Sequence, residues 1–207
     1  MSNRLPTHGP GRDTWVTALV WSAGFVGVLW VLEVLDQVLF RGGLDGYGIR
    51  PLDTGAGLAG IVFAPLLHGG IGHLVANTVP LLVLGFLILL SGVARWLAVT
   101  AIVWIVGGLG TWLTGGFNTL HLGASVLVFG WLVYLLLRGV FSRRVGQIAV
   151  GVLVLLLYGG ALWGVFPGQP GISWQAHLFG AIGGGLAAYL LARDDARPVP
   201  TQVQPRW

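Results

Sequence analysis

Four polar residues interrupt apolar stretches of this sequence and are of types that can do chemistry together: His73, Asn77, Ser125 and His177. Polar side chains inside membrane-spanning segments are energetically costly and by default indicate function. A serine becomes a nucleophile when an adjacent base takes its proton, and histidine suits that task near neutral pH. The residue types therefore indicate nucleophilic catalysis, provided that the fold brings them together.

Their spacing predicts that the four residues lie at one depth. Ser125 is thirteen residues from Arg138, and His177 is sixteen residues from Arg193. At about 1.5 Å of rise per helical residue, these separations are about 20 and 24 Å. His73 and Asn77 lie at the start of an apolar stretch that crosses the membrane in the opposite direction. Their i, i+4 spacing puts them on one helix face. All four are therefore expected in the same third of the membrane.

Glycines next to two of these residues predict close helix packing. Gly180 and Gly184 follow His177 by three and seven positions, so they form a stripe on one face of its helix. Small residues let transmembrane helices approach closely, which a short histidine–serine contact requires. Ser125 follows Gly123 at the start of its stretch, where first-turn amides have no helical partner.

Each residue taken alone also has a structural explanation. A serine in a transmembrane helix commonly bonds to a carbonyl one turn earlier. A lone asparagine can join two helices. The convergence of three separate stretches at one depth is what favours a joint functional role.

Composition places these residues in a membrane. Of 207 residues, 55% are hydrophobic and 9% are charged, whereas a soluble domain is about one-quarter charged. Helices of about 20 residues cross a hydrocarbon core, and strand-like alternation is missing. The sequence therefore predicts an all-α polytopic membrane protein with six spanning helices, at about 15–40, 72–90, 96–114, 120–137, 147–166 and 174–192.

The remaining segments are predicted to lie outside the spans. Residues 41–71 form a membrane-associated outer loop, in which the apolar piece 58–67 is too short to span and contains Pro65. Glu33 and Asp36, near the end of the first span, either extend towards the headgroups or brace this loop. The polar tails 1–14 and 193–207 are predicted to be disordered.

Arginine placement predicts the orientation. Nine of the eleven arginines fall on the side of both termini, and two fall on the other side. Because cytoplasmic segments carry the excess of basic residues, both termini are expected in the cytoplasm and the four polar residues near the outer face. The arginines are too scattered for nucleic-acid binding. The absence of lysine beside abundant Gly, Ala, Val and Arg suggests a bacterial plasma membrane.

Missing residue types exclude several chemistries. Without cysteine and lysine there is no thiolate, no Schiff base, no Walker A loop and no Ser–Lys dyad. The one glutamate has no histidine beside it, so there is no HExxH zinc site, and two aspartates in separate spans are not available. No carboxylate lies in spans two to six, so a serine and a histidine would act as a dyad rather than a triad.

Three segments carry a family resemblance. His68-GGIG-His73-LVA-Asn77, Gly123-Ala-Ser125 and Ala176-His177-LF-Gly180 resemble the rhomboid intramembrane serine proteases. The family patterns are HxxxxHxxxN in the second helix, GxSG at the start of the fourth and AHxxG in the sixth. The resemblance covers residues 15–192 and implies a rhomboid-like bundle that cleaves transmembrane segments of other proteins near their outer end.

The resemblance also implies residue roles. Ser125 would be the nucleophile and His177 its general base, while His73, Asn77 and the Ser125 amide would hold the oxyanion. Supporting roles fall to His68, Gly123, Phe129 and Gly180, with Phe129 placed against the catalytic histidine. Substrate helices and lipid are the implied partners, with no cofactor and no metal.

Two alternatives remain open. Val126 replaces the glycine that the family places after the serine, and we expect its branched side chain to narrow the substrate cleft. One alternative is therefore a pseudoprotease that binds client helices without cutting them. The other is a metal site formed by His68, His73, His121 and His177, which lacks carboxylates for outer-shell support.

Overall fold

The computed structural model describes residues 11–191, and these contain no strand, only an isolated bridge between Ile49 and His121. The tail predicted at 193–207 and residues 1–10 of the other tail lie outside the described residues. Residues 12–14, which we had included in that tail, are helical. The helices are α1 (Arg12–Leu35), α2 (Ala56–Phe63), α3 (Ile71–Leu89), α4 (Val93–Thr114), α5 (Ser125–Ser142), α6 (Val145–Tyr158) and α7 (Trp174–Leu191).

Five of the described segments are long and apolar enough to cross a membrane, which identifies a multi-pass membrane protein. α7, the sixth predicted span, is not among them. Gln175, His177 and four glycines within α7 lower its mean hydropathy. The five segments are Arg12–Phe40, Ile71–Leu89, Val93–Thr114, Ser125–Ser142 and Val145–Val165.

Two of the differences from the predicted span boundaries bear on the candidate site. The fourth apolar stretch was predicted from residue 120, but α5 begins at Ser125 and residues 115–124 form a loop. The fifth was predicted over 147–166 as one helix, but α6 ends at Tyr158. A 3-10 helical segment, Gly159–Val165, follows it. Both corrections place loop or 3-10 backbone at the start of α5 and after the end of α6, where the backbone can approach the candidate site.

α7 packs tightly between α4 and α5. A Cβ added at Gly180 would lie 2.4 Å from the carbonyl oxygen of Val126, and one at Gly184 would lie 2.0 Å from that of Gly130. No real side chain tolerates such distances, so only glycine permits this backbone approach. The stripe predicted from sequence thus forms the interface between α7 and α5.

The outer loop is braced by the end of α1. After α1 the chain forms a π-helical turn, Asp36–Phe40, and then a 3-10 turn, Gly43–Tyr47. The buried Asp36 accepts a hydrogen bond of 2.9 Å from the backbone N–H of Leu44 through Oδ1. Of the two roles considered for Asp36, the structure therefore supports bracing of the loop. Burial, with the charges of Asp36 and Glu33 in support, raises the pKa of Asp45 to about 6.

Candidate active site

Ser125 and His177 are brought together at the N-terminal ends of α5 and α7. Ser125 is the first residue of α5, and His177 lies in the first turn of α7. Nε2 of His177 lies 2.9 Å from Oγ of Ser125, a hydrogen-bonding distance. His177 is 8% exposed, so the pair is largely shielded from solvent. A shielded serine hydroxyl bonded to an imidazole is the arrangement that activates a nucleophile.

The other side of the His177 ring is held by backbone and by an aromatic ring. Nδ1 lies 3.0 Å from the carbonyl oxygen of Gly164. Because a carbonyl only accepts, Nδ1 carries the proton and Nε2 is left to accept from Ser125. The Phe129 ring stacks on the imidazole at a centroid distance of 3.9 Å and an interplanar angle of 11°. Carbonyl and ring together fix the orientation that a triad assigns to a carboxylate.

Gly164 was not found by sequence reasoning. It lies in the 3-10 segment Gly159–Val165, within a stretch that we predicted to be a plain membrane span. A Cβ at this position would lie 2.9 Å from Nδ1 of His177 and 2.9 Å from Cζ of Phe129. Glycine is therefore required for the carbonyl to reach the ring. No sequence pattern marks the bond, since every residue has a carbonyl.

The segment preceding Ser125 is fixed by His68 and Gly123. The fully buried His68 accepts the backbone N–H of Ala124 at Nε2, at 3.4 Å. Gly123 donates its N–H to the carbonyl of Ala64 at 2.8 Å and has a φ of +121°. A Cβ on Gly123 would lie 2.5 Å from Cε1 of His73. These contacts position the start of α5 against the start of α3.

His73 and Asn77 face the same cavity as Ser125 from α3. The side-chain amide of Asn77 donates to the His73 carbonyl at 3.2 Å, one turn earlier in the same helix. The helical hydrogen bonds of α5 begin with the N–H groups of Leu127 and Val128, both bonded to the Ala124 carbonyl. The Ser125 N–H precedes that first bond, as expected for a helix N-terminus.

A cavity of about 720 Å³ joins these groups. It is large enough for an extended peptide segment and for the water that hydrolysis requires, within the range of ligand pockets. Its polar groups come from four elements, whereas the rest of its wall is apolar or glycine. The lining residues are Gly69, His73, Ala76, Asn77, Pro80, Thr119, Leu120, His121, Leu122, Ser125, Val128, Phe129, Ala161, Gly171, Ile172, Ser173 and His177.

Val126 does not narrow the cavity that contains Ser125, which differs from the expectation for its branched side chain. Val126 is 5% exposed and does not line the 720 Å³ cavity. A Cβ added at Gly107 of α4 would lie 2.3 Å from Cγ2 of Val126, and one at Gly180 of α7 would lie 3.2 Å from it. The side chain therefore packs between α4 and α7. The physical reason is helical geometry, because neighbouring residues point about 100° apart.

A second serine–histidine contact lies beside the first and was missed by sequence reasoning. Nδ1 of His121 lies 2.6 Å from Oγ of Ser173, and Nε2 lies 2.7 Å from Oγ1 of Thr119. Burial lowers the pKa of His121. Ser173 also accepts the Ala176 N–H at 3.4 Å, so it caps α7. The contact links the α4–α5 loop to the start of the helix that carries His177.

The histidines do not assemble into a metal site. Within residues 11–191, no group of three or more His, Asp or Glu side chains has the geometry to hold a metal ion. The rings of His68 and His73 lie 5.2 Å apart in an edge-on contact. His177 and His121 are each bonded to serine.

Comparisons with known proteins agree with the residue patterns. Residues 56–194 match the Rhomboid domain. The chain is 50% identical over 203 residues to "Uncharacterized protein Rv1337" of Mycobacterium tuberculosis, covering 94% of this chain and 84% of that protein. It is 32% identical over 176 residues to "Putative rhomboid protease YdcA" of Bacillus subtilis, covering 82% and 86%. No solved structure gives a significant match.

Proposed function

This chain belongs to the rhomboid family, and from that premise we propose that it is an intramembrane serine endopeptidase. The observation that carries the proposal is the 2.9 Å contact between Ser125 and His177. The carbonyl of Gly164 on the far side of the ring supports it, because it selects the tautomer that can accept the serine proton.

The proposed reaction proceeds through an acyl-enzyme. Ser125 Oγ attacks the scissile carbonyl carbon while Nε2 of His177 takes its proton. The imidazolium then gives that proton to the departing amine, the peptide C–N bond breaks, and an ester remains on Ser125. A water molecule next attacks the ester with His177 again as base, which releases the acid and restores the serine hydroxyl.

The oxyanion would be held from α3 and α5. His73 and Asn77 line the cavity beside Ser125, whose own N–H precedes the first helical bond of α5. In a site of low dielectric constant, one such donor contributes about 3–4 kcal/mol to the transition state. One N–H of the Asn77 amide is bonded to the His73 carbonyl without substrate, which leaves the second N–H to donate to the oxyanion.

The proposed substrates are transmembrane segments of other proteins, cut near their outer end. We assign both termini to the cytoplasm because nine of the eleven arginines lie on that side. α7 then crosses the membrane as the sixth helix. A substrate helix must unwind locally, because an intact helix shields its peptide bonds. The mycobacterial and Bacillus relatives support a bacterial plasma membrane as its location.

Labelling with a fluorophosphonate serine probe tests the proposal on full-length protein in detergent. We expect wild type to be labelled and Ser125→Ala and His177→Ala to lose the label. Ser173→Ala is the matched control, because Ser173 also contacts a histidine and lines the same cavity. Label that persists in Ser125→Ala and disappears in Ser173→Ala would overturn the assignment of the nucleophile.

The alternative is a pseudoprotease, and its basis is Val126 at the position of the family glycine. Its side chain lies between α4 and α7 rather than in the cavity, which favours the protease. Folded wild-type protein that takes up no label would favour the pseudoprotease.

A further inference from the structure

We propose that the end of the bundle opposite Ser125 holds a phosphate-binding site built around Arg138. Arg138 lies in the last turns of α5, thirteen residues after Ser125, which is about 20 Å along the helix. The site takes a phosphate ester or a free phosphate, and its existence does not depend on proteolytic activity.

Arg138 is a buried cation whose described contacts are neutral. The residue is 7% exposed. Nη2 donates to the Ser91 hydroxyl at 2.9 Å, and the guanidinium carbon lies 5.6 Å from the centroid of the Tyr134 ring. Nε is buried and has no hydrogen-bond partner among the described residues. A buried charge is energetically costly unless it is paired, so binding of an anion would stabilise the Arg138 guanidinium.

The carboxylates within residues 11–191 lie far along the chain from Arg138. All of them fall between residues 13 and 53, in α1 and the outer loop. Asp13 is the one at the same end of the bundle, and it is exposed. It lines a separate cavity with Thr14, Thr17, Leu89, Gly92 and Val93, which shares no lining residue with the cavity at Arg138. Asp13 therefore does not supply Arg138 with an anion, and neither does any other carboxylate within residues 11–191.

A cavity of about 140 Å³ opens beside the guanidinium. One water occupies about 30 Å³ in the liquid, so a tetrahedral phosphate fits. Its lining combines the polar groups of Ser91, Gln147 and Arg138 with the apolar side chains of Leu87, Leu90 and Val150. This mixed lining suits a phosphate that carries a hydrocarbon chain.

The start of α6 completes the site. Gly146 lines the cavity in the first turn of α6, where backbone N–H groups point outward and favour anions. A Cβ at Gly146 would meet nothing within 4 Å. Arginine is the side chain best suited to phosphate because its planar fork can donate two bonds.

Phosphate can come from a lipid headgroup or from solution, and binding experiments distinguish the two. We would use full-length protein in neutral detergent and measure binding of dioleoyl phosphatidylglycerol, dioleoyl phosphatidylcholine and inorganic phosphate by native mass spectrometry and by melting temperature. Both lipids carry a phosphodiester, but the choline cation of phosphatidylcholine is repelled by the guanidinium, so we expect phosphatidylglycerol to bind about tenfold tighter. Protection by inorganic phosphate alone would assign the site to a soluble phosphate.

Three variants locate the binding. Arg138→Gln removes the cation, and Gly146→Phe retains the cation but fills the cavity. Both should lose the preference for phosphatidylglycerol and any protection by phosphate, while Arg143→Gln, an exposed arginine in the same loop, keeps them. If Arg138→Gln does not fold, Gly146→Phe still decides. Wild-type binding in Gly146→Phe, or no discrimination by the wild type among the three probes, would overturn the proposal.

Discussion

α6 and α7 lie next to each other in sequence and differ in what they contact. α6 is almost wholly aliphatic and exposes most of its leucines, Leu156 at 78%. α7 contains glycines and polar residues and buries the face that holds Gln175, His177 and the glycines. α6 packs chiefly against α5, whereas α7 packs against both α4 and α5.

The difference shows that the hydropathy of a helix follows how much of the helix is exposed at the surface of the bundle. A helix surrounded by other helices does not need to be apolar on all sides, because small residues and satisfied polar groups are stable there. α7, which holds the proposed general base, accordingly has too low a mean hydropathy to be identified as a membrane span. Experiments on the two helices should therefore give opposite results, and the following predictions run from the largest effect to the smallest.

The tight face of α7 should be the most sensitive part of the molecule. Gly184→Ala would place a Cβ 2.0 Å from the Gly130 carbonyl oxygen, so we expect a loss of about 3 kcal/mol in the free energy of unfolding and loss of fluorophosphonate labelling. Gly185→Ala, on the same helix, places its Cβ 3.7 Å from Leu137 and should be neutral or stabilising. Equal melting temperatures for the two variants would contradict the packing described.

A substitution in the segment after α6 should change the labelling rate more than the melting temperature. Gly164→Ala places a Cβ 2.9 Å from Nδ1 of His177. A shift of the ring by about 1 Å costs on the order of 10²-fold in rate, so the labelling rate should fall by that factor with little change in melting temperature. Gly160→Ala in the same segment, where a Cβ meets nothing within 4 Å, is the control. A wild-type rate in Gly164→Ala would contradict the close packing of this segment against the His177 ring.

The variant Val126→Gly tests whether Val126 stabilises helix packing or restricts access to Ser125. Val126→Gly removes a buried side chain, worth about 1.5–3 kcal/mol, and adds about 1 kcal/mol for glycine in a helix. We therefore expect a lower melting temperature and no gain in labelling rate. A faster rate in Val126→Gly would mean that the valine restricts the site, and it would revive the pseudoprotease alternative.

The smallest effect should come from Asp45, in a turn that packs against α2 and the end of α1 instead of α6 or α7. Its pKa is raised to about 6 by burial and by neighbouring acids. Because the folded state holds this proton more tightly than the unfolded state, stability falls as pH rises from about 4 to about 6. Asp45→Asn should reduce that fall in melting temperature, and an unchanged pH profile would count against it.

Sequence reasoning found the side chains of the candidate site and missed the backbone that orients them. Ser125 and His177 could be placed at one depth because helices advance by a fixed rise and the arginines mark one end. The Gly164 carbonyl could not be found, since it depends on a 3-10 segment within an apolar stretch that reads as one helix. The loop position of His121 and its contact with Ser173 were missed for a related reason, because the apolar neighbours of His121 extended the predicted span across it.

The direction in which the Val126 side chain points could have been predicted from the sequence. The family pattern gives only the position of the residue after the serine, whereas helical geometry turns it about 100° from Ser125. For α7 the sequence predicted the contact but not the hydropathy. Its glycine stripe predicted the contact with α5 correctly, whereas its polar residues and glycines lower its mean hydropathy below that of a membrane span.

The bond from His177 to the Gly164 carbonyl has a consequence for inheritance. In a triad, one codon change can delete the orienting carboxylate. Here the acceptor belongs to the main chain, so no substitution at residue 164 removes it. What a mutation can change is the missing Cβ, and any side chain at that position meets the imidazole and Phe129 at once. Mutations that disrupt this contact should therefore be those that replace Gly164 with a larger residue, and no polar side chain at that position identifies the contact.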